Sequence, residues 1–103
     1  MTSIPQDRID AILARHDELQ RQMSGGDLAP EKFVQLSKEY AEVGRVAEAA
    51  RELARLREEF AALGDMLADP ELKEMAQAEA EALRDAIPAA ERDLALRLLP
   101  RDS

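Results

Sequence analysis

The chain has 103 residues, with 14 basic and 22 acidic side chains, a net charge of -8 and no cysteine. This length fits one domain near the lower limit for a well-buried core. The acidic balance argues against broad contact with phosphate backbones or anionic membranes, and the lack of thiols excludes disulfides and thiolate metal sites.

Ala, Leu, Glu and Arg dominate the sequence, the mixture of long helices and coiled coils. Phe33, Tyr40 and Phe60 are the only aromatic anchors. The segment from Met1 to Asp7 has no basic stretch followed by an apolar run, so no signal peptide is expected. No segment approaches the roughly 18 apolar residues that a membrane span needs. The expectation is a cytoplasmic protein with no membrane partner.

Three helices are expected, over about 3–24, 28–67 and 69–98. Ser3 and Gln6 stand at capping-box spacing, and Pro5 is tolerated in a first turn. Ile9, Ile12, Leu13, His16, Leu19 and Met23 follow at helical spacing, until Ser24-Gly25-Gly26-Asp27 ends the run. Asp27 is a candidate N-cap for the second helix. Phe33, Leu36, Tyr40, Val43 and Ala47 form one seam, and Val46, Ala50, Leu53, Leu56, Phe60, Leu63 and Leu67 form another. The period survives Gly44 and Gly64, although each weakens a helix by roughly 1 kcal/mol. Asp69-Pro70-Glu71 reads as a restart, with N-cap, first-turn proline and early acid in order. Leu72, Met75, Ala76, Ala82, Leu83, Ala86, Ile87, Leu94 and Leu98 line the third helix. Pro88 should bend it, and Pro100 should end it.

The lengths predict an all-α fold: a three-helix antiparallel bundle extended by a long two-helix hairpin, coiled-coil-like. A second helix of this span is about 55 Å long. Helix 1 should reach back to about Ala50, and Leu98 to about the level of Tyr40. The part near the first loop should then be three helices thick, and the part beyond Arg51 two.

No constellation for catalysis emerges. His16, the one histidine, lies on the apolar stripe and is expected to be structural. A carboxylate-bridged metal bundle would need Glu three residues before it, and Leu13 stands there. Carboxylate pairs such as Glu58-Glu59 sit on helix surfaces among arginines, as in Glu48-Arg51 and Glu52-Arg55, the spacing of exposed ion pairs. Gly25-Gly26 lacks the Lys-Ser/Thr of a phosphate loop. The chain is expected to be no enzyme, with no catalytic, cofactor-binding or metal-ligating residue.

Four segments in order carry a resemblance: Arg15-His16-Asp17-Glu18-Leu19, Leu36 to Ala41, Met66 to Ala76, and Leu98-Leu99-Pro100-Arg101-Asp102. Together they resemble the amino-terminal domain of the bacterial class I peptide chain release factors, of the type that reads UAA and UAG. Pro88 departs from that pattern. The family's codon-reading Pro-x-Thr tripeptide and its Gly-Gly-Gln loop do not occur here, so the sequence looks like the excised first domain of a longer chain. The resemblance implies a docking role toward the ribosomal stalk base, where protein L-eleven lies, and a link to the class II release factor GTPase. An unrelated helical scaffold or adaptor that binds a protein partner is the alternative.

A two-helix end leaves apolar surface uncovered, and such patches mark partner sites. The expected contact region is the turn between the second and third helices, with Asp65, Met66, Asp69, Glu71, Lys73 and Glu74 as contact residues. The same tip is where two isolated copies would meet as a homodimer.

Overall fold

A computed structural model describes residues 3–100 of the chain. Among these residues lie three α-helices, α1 (Gln6–Ser24), α2 (Pro30–Leu67) and α3 (Lys73–Leu98), and no strand. The fold is all-α. α2 has 38 residues, about 57 Å at the helical rise, and it sets the long dimension of 60 Å. The other two dimensions are 32 and 17 Å. The radius of gyration is 17.9 Å, well above the roughly 13 Å of a compact chain of this length. α1 and α3 both run antiparallel to α2, but along different stretches of it.

The helix starts differ from the expected ones for local reasons. Pro5 takes the N-cap position of α1 in an extended conformation, and no side chain caps it. Its carbonyl accepts the N–H groups of Arg8 and Ile9 at 3.1 and 3.3 Å. The Ser3–Gln6 box does not form, because Gln6 is engaged elsewhere: its amide donates to Asp10 and its carbonyl accepts from Arg57. In α2 the cap is Ala29, not Asp27. Proline disfavours helical backbone in the residue before it, which keeps Ala29 extended, and Pro30 then supplies the preset φ of the first helical position. The restart at Asp69 is a turn that precedes α3: the Asp69 Oδ1 accepts the Glu71 N–H at 2.9 Å and its carbonyl accepts the Leu72 N–H at 3.0 Å. α3 proper begins at Lys73. α2 continues through Gly44 and Gly64, and α3 through Pro88.

Two apolar clusters hold the helices together. The first joins all three: Ile4, Ile9, Ala49, Ala50, Leu53 and Leu94 are buried, with Ile12, Leu13, Val46 and Leu98 packed around them. Leu53 and Leu94 are wholly enclosed, which stabilises by about 1.5–3 kcal/mol for each side chain. The second is made by α2 and α3 alone, from Leu56, Leu63, Ala76, Ala80 and Leu83. Ala80 is buried where the sequence pattern pointed to Ala82, which is exposed.

The three-helix zone therefore sits mid-molecule and not beside the first loop. Arg57 reaches Ile4 and Gln6 at one boundary. At the other, Leu98, Leu99 and Pro100 line a groove with Glu42, Val43, Arg45 and Val46. α3 stops there, so the stretch of α2 from Pro30 to about Ala41 meets α1 alone. Phe33 is consequently 45% exposed. The molecule is a central three-helix junction with a two-helix arm at each end.

Candidate functional site

The α2–α3 arm ends in a tip built on the Asp69 turn. Inside it, Leu63, Ala76 and Ala80 face one another and Met66 packs against them. Phe60 and Leu67 remain 39% and 37% exposed, and Met75 56%. With only two helices, an apolar residue off the shared face has no third layer to cover it.

The six expected contact residues lie together on this tip. Asp65 and Met66 are in the last turn of α2, Asp69 and Glu71 in the connection, and Lys73 and Glu74 at the start of α3. All are exposed except Met66, which is half-buried. Asp69 is engaged in holding the turn. Four carboxylates against one ammonium, within ten residues, give the tip a negative rim around an apolar patch. That arrangement can recognise a basic surface with an apolar centre. No group of three or more Asp, Glu or His among the described residues is placed to hold a metal ion.

Elsewhere several charged side chains pair along one helix or between two. Arg15 forms a two-pronged pair with Glu39 across α1 and α2, at 2.7 and 2.8 Å. That hydrogen bonding holds the Glu39 carboxyl below its ordinary pKa. Arg55 bridges Glu52 and Glu59 along α2, and lowers the pKa of Glu52 in the same way. His16 stacks on Tyr40 with ring centres 4.7 Å apart, and its ring covers Gly44. Its position between two helices fits a packing residue.

Two further apolar surfaces escaped the sequence pattern. One is the groove of about 520 Å³ where α3 ends, floored by Ala11, Ile12, Val43, Val46 and Leu98 and rimmed by arginines. Three of those arginines, Arg15, Arg45 and Arg97, already face carboxylates of the chain. The other is a notch at the opposite arm, between Met23, Leu28, Phe33 and Val34. Both arise because α3 is shorter than the stretch of α2 it could have covered, a tertiary fact with no local signal.

Residues 12–103 match the model of the PCRF domain. The chain is 50% identical over 101 residues to peptide chain release factor 1 of Erythrobacter litoralis, covering 98% of this chain and 28% of that protein. It is 50% identical over 105 residues to peptide chain release factor 1 of Zymomonas mobilis, covering 100% and 29%. Peptide chain release factor 1 of Caulobacter vibrioides is 44% identical over 99 residues, covering 96% and 28%. The chain thus spans less than a third of the length of these relatives. No solved structure matches it. The chain belongs to the PCRF domain family and is similar to the amino-terminal domain of peptide chain release factor 1.

Proposed function

We propose that this chain is the docking domain of a translation termination factor that reads UAA and UAG, and that it helps hold the factor at the base of the ribosomal stalk, in the cytoplasm. The observation that carries the reading is the match to release factors along nearly the whole chain. The composition is in keeping with it: a net charge of -8 favours a basic protein surface, such as that of protein L-eleven, over bare RNA phosphate. The tip supplies the contact, through Asp65, Met66, Asp69, Glu71, Lys73 and Glu74. The class II release factor GTPase is a second partner for the same domain, and the isolated chain pairs with another copy through the tip. The chain itself performs no chemistry; codon reading and ester hydrolysis belong to other parts of the factor.

The test is charge reversal in a full-length factor carrying this domain. Asp65→Lys, Glu71→Lys and Glu74→Lys together should weaken ribosome binding roughly tenfold, the scale of a few exposed ion pairs. Reversal of Asp7, Asp10 and Asp17 on α1 should leave it unchanged. The opposite pattern would place the contact on α1 and reject the tip.

A further inference from the structure

Arg57 is the point where the three helices are joined by directional bonds. One Nη donates to the Ile4 carbonyl at 2.7 Å and to the Glu91 carboxylate at 2.9 Å. The other Nη donates to the Gln6 side chain at 3.1 Å. The three acceptors belong to the strap before α1, the first turn of α1 and the middle of α3. The Arg57–Glu91 pair is the least exposed ion pair among the described residues, at 24% and 15% of the side chains. Beneath it, Ile4 is buried against the first apolar cluster. Beyond it, toward the tip, α1 contributes nothing to the core.

We propose that Arg57 is a positioning residue: it fixes the direction in which the α2–α3 arm leaves the junction, and so the direction in which the tip is presented. Apolar contacts around the junction are non-directional and tolerate rotation of one helix on another. A guanidinium is a rigid planar fork whose donors fix three acceptors at once. Lysine would offer a mobile point charge in its place. Arg55, two residues earlier, makes a useful contrast, since both of its partners lie on α2 itself and it joins no second helix. A tip held at a set angle reaches its partner without an orientational search, which is preorganisation. This consequence rests on the proposed docking role; the latch itself does not.

The absence of native cysteine allows spin labels to be placed on Asp17→Cys in α1 and Gln77→Cys in α3, both exposed positions. The distance between them is read by double electron–electron resonance, and helicity by circular dichroism. The parent should give one narrow distance. Arg57→Met should lose it, giving a broad or displaced distribution at unchanged helicity. Arg57→Lys should broaden it partly, and Arg55→Met not at all. Should Arg57→Met fail to fold, Arg57→Lys and Glu91→Gln carry the comparison. A distribution as narrow as the parent's in the folded Arg57 variants, with only a lower melting temperature, reduces the cluster to an ordinary stabilising pair and overturns the proposal. Equal broadening by Arg55→Met overturns it too. A broadened arm in a full-length factor that still binds ribosomes as the parent does would remove the tip from docking and leave the latch standing.

Discussion

Gly44 and Gly64 both lie inside α2 but have different surroundings. A Cβ on Gly64 would meet nothing within 4 Å, and one on Gly44 would touch the His16 ring at 3.7 Å, an ordinary contact. Neither glycine is required by its backbone conformation. Gly64→Ala should therefore stabilise the chain by roughly 1 kcal/mol, through helix propensity and lost freedom of the unfolded chain, and Gly44→Ala should be tolerated. Gly26 is the contrast: its φ is 78°, and Gly26→Ala should cost roughly 1–2 kcal/mol. Urea unfolding of the three variants checks this, and a loss of stability in Gly64→Ala would contradict it. Glu39 adds a pH dependence. Its folded pKa lies below its unfolded one because Arg15 hydrogen-bonds the charged form. The pair's contribution is then complete at neutral pH and is lost as the pH falls through the lowered folded value. Glu39→Gln should be less stable than the parent at pH 7, with the gap closing in acid. A gap that stays constant with pH would rule out this pair as its source.

At the scale of elements, α3 runs unbroken through Pro88, although proline has no N–H for the carbonyl of Arg84 and crowds that turn. Packing of Leu83, Ile87 and Leu94 onto α2 offsets that cost. Pro88 is exposed, so Pro88→Ala removes the penalty and disturbs no contact in the core. It should stabilise by about 1–3 kcal/mol, read as a higher urea midpoint. A lower midpoint would mean that the packing of α3 on α2 depends on a shape of α3 that only proline imposes. The helices themselves were legible in the sequence because their apolar period is a property of the chain alone. The end of α2 at Leu67 follows from that period and from Asp69-Pro70. The starts were less legible, since Ser3, Asp27 and Asp69 all have capping chemistry and the choice depends on neighbours: Gln6 is taken by Arg57, and Pro30 forces the cap onto Ala29. The tip was legible as a hairpin turn. Arg57 was not, because it joins residues 51 and 53 positions away, and no spacing rule reaches so far.

The whole molecule is a 60 Å rod whose three-helix part occupies only its middle. Stability in such a shape is set by local packing, because each arm buries one helix face and the junction buries two. Ala47, Ala50 and Leu53 on α2 are wholly buried in the middle, whereas Phe33 near one end and Phe60 and Leu67 near the other keep more than a third of their surface. Opening the arm beside the first loop exposes Leu19 and Leu36, and opening the tip arm exposes Leu63, Ala76 and Leu83, each from one shared helix face; opening the junction exposes Ile9, Leu53 and Leu94 from all three helices together. Amide hydrogen exchange reports such openings, from near zero free energy at frayed ends to the global value in a core. Along α2, protection should therefore rise from Phe33 to a maximum between Ala47 and Leu56, then fall toward Leu67. α1 should be best protected in the turns around Ile9 and α3 in the turns around Leu94. The truncation Leu53→Ala, at the centre of the maximum, should cost about 3–5 kcal/mol, whereas Met75→Ala, on the exposed tip, should change stability by less than about 1 kcal/mol. Both measurements bear on the same gradient. Uniform protection along all of α2, with equal costs at the two sites, would mean that the arms and the junction unfold as one unit, and the tip would then be as rigid as the centre.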